Sequence, residues 1–468
     1  MITTFGTIIP IEEPAIVPEH FHNDIGFSDA FVAKHKGTIR HSGNENLWLI
    51  FRPGTGWERD SGAGIQGVAV DYARDLYVTA LEAAKQADAA TGAKMIQSTV
   101  KLGNKVKLTP MLDIARCHRD ISIGSEELDR NPFIVGTENG IVDLTTGTFS
   151  PHTEEHLVTR RLATTYDASA TAPTFERFLS EVQPEQEMRD FLQRWAGYCL
   201  TGAIREHILP FHYGTGSNGK SIFLEHVLLR LMGTYGAKLS DSLIYSNDRG
   251  TQPFLEIAGL CGKRLGIGEE NQAGAGLNEN YLKSATGGDR QKGRYHYADF
   301  ITYDPTAKLA LVGNHQPRVE GRDHGFWRRF LLIDWPVKIS TEKQDGELPE
   351  KLRAEMSGIL NWCIAGAMEW NLRGLNPPES CRMATERFKA TSDSLAGFCE
   401  MFEEAEGEDI AKARVFDLYQ EWTETEGIQR NRRFSKRSLG FRLIERGWNE
   451  GRVGNKNTPS FIGMKEAE

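Results

Sequence analysis

One eight-residue motif constrains this chain more than any other feature: GTGSNGKS, at Gly214–Ser221, fits the pattern G-x-x-x-x-G-K-[ST] without a mismatch. The short apolar run ILPFHY predicts a strand immediately before it, and SIFLEHVLLRLMG predicts an amphipathic helix immediately after it. Backbone N–H groups at such a bend form a nest for anions, and the helix dipole adds to their attraction for phosphate. This context favours a phosphate-binding loop over a chance glycine-rich turn.

The side chains of the loop suit a nucleoside triphosphate. Lys220 would reach the β- and γ-phosphates, and Ser221 would bind Mg²⁺. ATP and Mg²⁺ are therefore the expected ligands. The predicted nucleotide-binding residues are Gly214, Thr215, Gly216, Ser217, Asn218, Gly219, Lys220 and Ser221.

Polar side chains follow two later apolar strands. The run RLGIG ends at Glu269 and Glu270, about fifty residues after the loop lysine. An ATPase needs an acid there to hold Mg²⁺ and to polarise the attacking water, although a solvated glutamate pair is the simpler alternative. The run KLALVGN ends at Asn314, which would sense the γ-phosphate or orient water, unless it only makes an ordinary strand-end turn.

Two adjacent arginines come next. The segment GRDHGFWRRFLLI places Arg328 and Arg329 directly before another apolar strand. An arginine beside the nucleotide, from the same or a neighbouring subunit, stabilises the transition state of phosphoryl transfer. The alternative is a surface arginine pair.

Taken in order, GTGSNGKS, RLGIGEEN, TGGDRQKGRYHY, KLALVGNHQPRV and GRDHGFWRR resemble the motifs of superfamily 3 helicases. The similarity is closest to the phage and plasmid primase-helicase type, which is related to the poxvirus primase-helicase. Upstream, LWLIFRPGTGWERD, ELDRNPFIVGTENGIVDLTTG and FLQRWAGYCLTGAI are similar to the pre-helicase domain of that family, so the resemblance covers roughly residues 25–350. It implies a homo-hexameric ring of AAA+-like subunits with ATP at the subunit boundaries.

The resemblance also implies roles for residues. It assigns Lys220 and Ser221 to phosphate and Mg²⁺, the Glu269–Glu270 position to Mg²⁺ and water activation, and Asn314 to a sensor. Arg328 or Arg329 would be the finger that acts on a neighbouring subunit, and the sequence does not choose between them. One departure is that the strand before Glu269 carries unusually small residues, which leaves the identity of the Mg²⁺ ligand open.

The segment between Asp289 and Thr302 matches a hairpin that projects into the ring pore in this family. Its basic residues would hold single-strand phosphates, and Tyr295 and Tyr297 would stack on bases; the alternative is a solvated basic hairpin. The candidate DNA contacts are Arg290, Lys292, Arg294 and His296.

The last sixty residues carry a local basic excess. From Arg430 to Lys456 there are nine Lys or Arg against two Glu, although the whole chain has a net charge of -9. A helix, a second helix and two strands predict a winged-helix module that binds duplex or origin DNA, unless it is a basic protein-interaction module. Its candidate contacts are Arg432, Arg433, Lys436 and Arg437, whereas Phe434, Leu439, Phe441 and Leu443 are expected in its core.

The length of 468 residues predicts several domains. We expect an α/β chain with an N-terminal arm (1–25), a mixed α+β pre-helicase domain (26–200), a P-loop AAA+-like ATPase domain (201–345), a helical segment (346–402) and a winged-helix module (403–468). Gly92 is the expected end of an alanine-rich helix, residues 175–200 form one helical run, and Glu403–Glu408 is an acidic linker. Relatives often carry a primase or polymerase domain ahead of this region, and because only a short arm precedes it here, we do not expect this chain to prime.

Composition excludes other classes. No apolar run reaches eighteen residues, the N-terminus lacks a basic signal-peptide region, and the six cysteines show no metal-ligand spacing. A bacterial cytoplasmic location follows as an expectation. We expect an ATP-driven ring helicase for phage or plasmid replication, acting on single-stranded and forked DNA with a separate primase or polymerase. The alternatives are an ATPase that loads or remodels replication proteins and an origin-binding initiator whose nucleotide site only controls assembly.

Overall fold

The structure is a computed structural model. It describes residues 23–43, 45–245, 253–269, 276–296, 299–317, 319, 324–392, 395–428, 430, 433–454 and 457–467. The predicted N-terminal arm, Glu270, Tyr297 and Arg432 therefore lie outside the described residues, except for the last three residues of the arm.

The first hundred described residues form four helices on a small sheet. The elements are α1 (Asp24–His35), β1 (Ile39–Ser42), β2 (Leu47–Arg52), β3 (Gly56–Asp60), α2 (Ala63–Ala84), α3 (Ala89–Leu102), α4 (Lys105–Ala115) and β4 (Ser122–Ile123). The sheet order is β3-β2-β1-β4, and the predicted strand–turn–strand of LWLIF and GWERD is confirmed as the antiparallel pair β2–β3. The carboxylate of Asp60 accepts hydrogen bonds from Gly62, Gly64 and Ile65 and so begins α2.

The prediction that Gly92 ends the alanine-rich helix is wrong. The helix stops at Ala84, and a new helix, α3, begins after Asp88, whose side chain accepts from the N–H groups of Ala90 and Thr91. Gly92 lies inside α3, where an added Cβ would lie 3.0 Å from the Cβ of Ala84. It is a close-contact position between two helices, not a stop.

A three-stranded meander follows, with β5 (Ile134–Gly136), β6 (Ile141–Asp143) and β7 (Phe149–Ser150) in sequential order. The predicted turns at 139–140 and 146–147 are confirmed, and Gly147 supplies a positive φ of 74° at the second.

The expected single helix over 175–200 is two helices, α5 (Pro173–Val182) and α6 (Gln186–Leu200). Pro184 lies in the break, where a proline residue disfavours helical geometry in the residue before it. Both helices pack in the main core, and Phe178 and Val182 of α5 lie against Gly219 of the glycine-rich loop.

The central layer is a five-stranded parallel sheet in the order β14-β8-β13-β10-β9. Its strands are β8 (Leu209–Tyr213), β9 (Gly236–Lys238), β10 (Leu265–Glu269), β13 (Lys308–Gly313) and β14 (Phe330–Asp334). The connections carry α7 (Asp241–Ile244), α8 (Phe254–Gly259), α9 (Glu279–Gly287), the antiparallel hairpin β11 (Gln291–Arg294) and β12 (Phe300–Tyr303), and α10 (His324–Trp327). The α/β class predicted for this region is confirmed, and β8, β13 and β10 end along one edge of the sheet.

Three helices complete the core: α11 (Leu348–Ala354), α12 (Met356–Arg373) and α13 (Glu379–Ser392). The short helix α14 (Ala396–Cys399) instead packs in the C-terminal module through Phe398. Helix α12 crosses α6 at glycines, since a Cβ on Gly197 would lie 2.0 Å from the backbone nitrogen of Ala367. Core residues from α6, the sheet and α12 form one continuous apolar cluster.

The C-terminal module contains β15 (Phe402–Ala411), α15 (Lys412–Thr425), α16 (Lys436–Ile444), β16 (Asn449–Val453) and β17 (Thr458–Glu466). Its antiparallel sheet has the order β15-β17-β16. The expected acidic linker at Glu403–Glu408 is wrong, because that segment is the middle of β15. The buried side chains of Phe402 and Ile410 pack β15 against the core of the module, while the acidic side chains of the strand remain exposed.

No helix in the described part of the chain is both long enough and apolar enough to cross a membrane.

Candidate nucleotide and nucleic-acid sites

The glycine-rich loop joins β8 to a helix that includes Lys220 and Ser221 and continues in the wider π form over Ile222–Leu229. Gly216, Ser217 and Gly219 have φ values of 99°, 52° and 82°. Such left-handed backbone turns successive N–H groups towards one side, which is the geometry of an anion nest. The local sequence thus places a strand, a nest and a helix start where the motif predicted them.

Two of the loop glycines are required by close contacts. A Cβ on Gly214 would lie 1.9 Å from Nδ2 of Asn218, and a Cβ on Gly219 would lie 2.9 Å from Cγ1 of Val182. A Cβ on Gly216 would meet no atom within 4 Å, so the space beside that residue is open. An open concave backbone next to a buried lysine fits a phosphate chain.

Lys220 is the centre of the site. Its side chain is 4% exposed, and its Nζ donates to the carbonyl oxygen of Gly214 at 2.7 Å, to Oδ1 of Asn218 at 2.8 Å and to Oδ1 of Asn314 at 3.1 Å. Asn314 follows β13, the strand next to β8. Burial lowers the pKa of the Lys220 ammonium to about 8, so the group is charged at neutral pH but weakly solvated.

Hydrogen bonds from buried polar groups of the core hold the loop in place. Nδ2 of Asn218 donates to the carbonyl oxygen of Trp335 at 3.2 Å, and the indole N–H of Trp335 donates to Nδ1 of His212 at 3.1 Å. Burial, with the nearby charge of Lys220, lowers the pKa of His212 to about 3, so this ring is neutral and acts as the acceptor. The loop conformation is therefore fixed by the core, which is how a phosphate site is preorganised.

The end of β10 carries the predicted acid. Oε1 of Glu269 contacts Nζ of Lys238 at 2.7 Å, and that ammonium also binds Oε2 of Glu225 at 3.0 Å. The pKa of Glu269 is lowered mainly by its hydrogen bond with the Lys238 ammonium and, to a smaller extent, by a hydrogen bond with Glu225. This carboxylate is therefore ionised. Lys238 was not among the predicted residues, because no local pattern marks a lysine on β9 as the partner of an acid at the end of the next strand, β10.

The small residues before Glu269 have a packing cause. Leu239 occupies the space beside Gly266, and a Cβ on Gly268 would lie 2.4 Å from Cδ1 of Ile244. Helix α7 therefore approaches β10 closely. Among the described residues no group of three or more His, Cys, Asp or Glu could hold a metal by itself. Ser221 and Glu269 fit Mg²⁺ only in the manner usual for that ion, in which substrate phosphates and water supply the remaining ligands.

The two arginines before β14 have different environments. Arg329 is partly buried, and its NH1 donates to the carbonyl oxygen of Gly325 at 2.6 Å. Arg328 is exposed, and its guanidinium makes no hydrogen bond or ion pair with any residue the structure describes. Arg329 is therefore hydrogen-bonded within its own chain, whereas Arg328 projects outwards.

The hairpin predicted between Asp289 and Thr302 is confirmed as β11–β12, with Arg294 opposite Phe300. Lys292 and Arg294 are exposed on one face, and their cationic ends lie 4.4 and 5.1 Å from the ring centre of Phe300. His296 is exposed, and Arg290 pairs with Asp304 at 2.9 Å. An exposed aromatic ring with two cations is the chemistry that binds single strands. Phe300 was not among the predicted contacts.

The other face of the hairpin is fixed to α8. The hydroxyls of Tyr295 and Tyr303 donate to the carbonyl oxygens of Ala258 and Ile257 at 3.0 and 2.5 Å. A Cβ on Gly293 would lie 2.5 Å from the backbone nitrogen of Ala258. Tyr295, predicted to stack on bases, is thus held by its hydroxyl although its side chain is exposed. The hairpin and α8 form one packed unit.

The predicted DNA contacts of the C-terminal module have different environments. Arg433 pairs with Glu424 at 3.3 Å and donates to the carbonyl oxygen of Ile428, whereas Lys436 and Arg437 are exposed at the start of α16. Leu439 and Leu443 are buried as expected and Phe434 is partly buried. The placement of Phe441 in the core is wrong, because its side chain is 56% exposed on the outer face of α16.

Two protein-family models match the chain. The one described as "D5 N terminal like" matches residues 28–184, and a family of unknown function (DUF5906) matches residues 212–329, which include the glycine-rich loop and both arginines. Similar curated proteins come from large DNA viruses. A protein of Acanthamoeba polyphaga mimivirus, provisionally named a helicase, is 25% identical over 64% of this chain and 33% of its own length.

A protein of Invertebrate iridescent virus 3, also provisionally named a helicase, is 26% identical over 59% of this chain and 33% of its own length. A protein of African swine fever virus provisionally named a primase is 24% identical over 48% of this chain and 24% of its own. The chain spans about a third of the length of the first of these relatives. A solved structure, the apo form of the NrS-1 C terminal region, is similar with a TM-score of 0.49 and 10% identity, over 94% of this chain and 99% of that one.

Proposed function

We propose that this chain is an ATP-driven DNA helicase of superfamily 3 type, since it belongs to the primase-helicase family. One observation carries the proposal. The ammonium of Lys220 lies in a glycine-rich nest and meets Oδ1 of Asn314 from the neighbouring strand. A loop lysine beside a strand-end amide is the arrangement that binds a γ-phosphate and reports its loss.

The loop residues would bind the triphosphate. Lys220 would exchange its bonds to Gly214 and Asn218 for phosphate oxygens, since its buried charge gains more from an anion than from neutral acceptors. The hydroxyl of Ser221 and the carboxylate of Glu269 are the groups that would hold Mg²⁺, which neutralises charge on the phosphates when bound. Lys238 keeps Glu269 ionised in the protein without nucleotide.

Hydrolysis would use the acids at the end of β10. An attacking water gives its proton to a carboxylate of the Glu269–Glu270 pair while its oxygen bonds to the γ-phosphorus. The bond from that phosphorus to the bridging oxygen breaks, and ADP leaves. Asn314 would orient the water or sense the freed phosphate. We assign the finger to Arg328, because its exposed guanidinium is available to a neighbouring subunit, whereas Arg329 is bound to its own chain.

Motion would reach DNA through the hairpin β11–β12. Carbonyl groups of α8 accept the hydrogen bonds that hold the hairpin, and the short turn 260–264 joins α8 to β10, which ends at Glu269. A change at the nucleotide edge is thus connected to Lys292, Arg294 and Phe300 by one short run of packed structure. Single-stranded DNA would be held there by phosphate contacts and by stacking, in a homo-hexameric ring with the nucleotide at subunit boundaries.

The test is strand displacement on a forked duplex with ATP and Mg²⁺. The parent chain should unwind the fork and hydrolyse ATP faster with single-stranded DNA, and Lys220→Ala should do neither while melting at a similar temperature. DNA-stimulated hydrolysis without unwinding would favour a loading or remodelling ATPase. Binding of DNA without turnover would favour an initiator, and normal turnover by Lys220→Ala would exclude the site.

A further inference from the structure

A short segment without regular secondary structure, residues 159–163, runs between the N-terminal meander and the central sheet. We call it the bridging segment. On its N-terminal side, the carboxylate of Asp129 accepts hydrogen bonds from the N–H and the hydroxyl of Thr159 at 2.8 and 2.6 Å. The N–H of Leu162 donates to the carbonyl oxygen of Gly136, in β5, at 2.8 Å. The segment is therefore fixed to the N-terminal part of the chain.

The bridging segment also holds the end of the helix that follows the glycine-rich loop. The N–H of Ala163 donates to the carbonyl oxygen of Leu231, at the end of that helix, at 2.9 Å. The backbone N–H of Arg161 donates to the hydroxyl oxygen of Thr234 at 2.7 Å, and the N–H of Thr234 donates to the carbonyl oxygen of Arg161 at 3.0 Å. The helix whose first turn contains Lys220 is therefore held at its other end by the bridging segment.

The side chain of Arg160 connects this helix end to the turn 260–264. Its NH2 donates to the carbonyl oxygen of Cys261 at 2.8 Å, and its NH1 donates to that of Thr234 at 3.3 Å. A guanidinium presents its donors in one rigid plane, so a single side chain can hold two backbone segments at a set spacing. Arg160 thus fixes the turn that joins α8 to β10 relative to the end of the nucleotide-binding helix.

The turn has a shape that admits this side chain. Gly262 has a φ of 69°, and a Cβ on it would lie 2.7 Å from Nε of Arg160. A residue with a Cβ would be strained by the left-handed backbone and would also displace the guanidinium. Glycine at this position therefore permits the contact between the turn and Arg160.

Two neighbouring cations make different contacts. Arg161 donates to the carbonyl oxygen of Thr55 at 3.0 Å, so its side chain stays on the N-terminal side of the bridging segment. Lys263, in the turn itself, donates to the carbonyl oxygen of Thr234 at 2.9 Å and stays on the side of the central sheet. Arg160 differs from both, because its hydrogen bonds cross from the bridging segment to the central-sheet side.

The turn 260–264 lies between the nucleotide edge and the hairpin. On one side it leads into β10, which ends at Glu269, and on the other side it follows α8, which holds the hairpin through Tyr295 and Tyr303. A turn that moves freely would absorb a displacement that arrives from either side. A turn held at a fixed spacing from the end of the nucleotide-binding helix transmits that displacement.

We propose that Arg160 is a positioning residue that couples ATP hydrolysis to movement of the hairpin by holding this turn in place. The inference rests on the proposed function, because it concerns how the proposed ATPase moves its proposed DNA contact. In this scheme Arg160 touches neither nucleotide nor DNA. Its loss should therefore uncouple the two activities and leave each of them present.

The fold should tolerate the loss of Arg160. Arg264, directly before β10, is 3% exposed, and its NH2 donates to the carbonyl oxygen of Ile134 at 2.7 Å. Its guanidinium also lies 4.5 Å from the ring centre of Tyr235. These contacts fix the start of β10 independently of Arg160, so a variant at Arg160 should melt near the parent temperature.

The test measures base pairs unwound per ATP hydrolysed, on a forked duplex with the full chain. Arg160→Gln should keep the ATP turnover and the KM for ATP of the parent. Its ratio of base pairs to ATP should fall about fivefold, which corresponds to the roughly 1 kcal/mol contributed by one intramolecular hydrogen bond. Arg160→Lys keeps the charge but reaches only one of the two carbonyl oxygens, so it should give an intermediate ratio. Gly262→Ala disturbs the same contact from the turn and should lower the ratio as well.

Arg161→Gln is the matched control, because it removes the adjacent guanidinium, whose contacts with Thr55 and Glu58 stay on the N-terminal side. It should keep the parent ratio. Hydrogen exchange adds a readout that does not depend on unwinding. A non-hydrolysable ATP analogue with Mg²⁺ should change exchange in the hairpin strands 291–294 and 300–303 of the parent and of Arg161→Gln, but not of Arg160→Gln.

Three results would overturn the inference. The first is a parent-like ratio and exchange response in Arg160→Gln. The second is an equal loss of coupling in Arg161→Gln. The third is a proportional loss of hydrolysis and unwinding with a lower melting temperature, as a purely structural role would give. A parent chain that binds no ATP would instead overturn the proposed function, and this inference would fall with it.

Discussion

Alanine substitutions at the loop glycines separate folding from nucleotide binding. Gly216 and Gly219 both have positive φ, which costs an alanine about 1–2 kcal/mol, offset by roughly 0.4–1 kcal/mol of lost unfolded-state entropy. At Gly219 the new methyl group would also lie 2.9 Å from Val182 and 3.0 Å from Phe178. Overpacking of this kind adds about 1–3 kcal/mol. We therefore expect Gly219→Ala to lose about 2–4 kcal/mol of unfolding free energy and Gly216→Ala about 1 kcal/mol.

For nucleotide binding we expect the larger direct effect at Gly216, although this substitution has the smaller effect on stability. Gly216→Ala keeps a stable fold but places a methyl group in the open space of the nest, so its ATP affinity should fall more than its stability predicts. Gly54→Ala is the control, because Gly54 has a φ of 89° and no atom within 4 Å of the added Cβ. Urea unfolding and ATP titration of the three variants test this. Equal stability losses at 216 and 219, or unchanged ATP affinity in Gly216→Ala, would refute the reasoning.

Three further predictions concern charged groups of the site. Since burial lowers the pKa of Lys220 to about 8, its ammonium loses its proton as pH rises through that value while the phosphates stay ionised. ATP affinity should therefore be highest near neutral pH and fall as the pH rises through 8 in calorimetric titrations, and the weak binding of Lys220→Ala should show no such fall. Lys238→Met should free Glu269 and reduce the Mg²⁺ needed for half-maximal hydrolysis by up to about fivefold, because an exposed pair contributes at most about 1 kcal/mol. A higher Mg²⁺ requirement would contradict that role. Arg328→Ala should retain ATP binding but lose turnover, and mixing it with Lys220→Ala should restore some activity. Activity lost only in Arg329→Ala, or no recovery on mixing, would reassign the finger.

The parts of the site that follow from local pattern were predictable from sequence. The loop depends on glycines at fixed positions, and apolar runs ending in polar residues predicted β8, β10 and β13. Asn314 then comes beside Lys220 because β13 and β8 are neighbours in a parallel sheet. Strand order itself depends on pairing between distant segments, so the partnership of Lys238 with Glu269 was not predictable from spacing.

The failures have the same physical cause. An acidic run such as Glu403–Glu408 is typical of a linker, but pairing with β17 and burial of Phe402 and Ile410 make it a strand. Phe441 was expected in the core, because an apolar residue on a surface helix usually faces the protein interior. Here Leu439 and Leu443 already fill the core, so the ring turns outwards. Tertiary packing, which a local pattern does not contain, decided both cases.

The central claim is that ATP held by the loop drives movement of the chain along one DNA strand. Strand displacement on a fork, with ATP turnover measured in the same reaction, tests this most directly. The account predicts unwinding that requires hydrolysable ATP and Mg²⁺ and that disappears in Lys220→Ala. Purified protein that binds no ATP in the presence of Mg²⁺, or that unwinds equally well as Lys220→Ala, would contradict it.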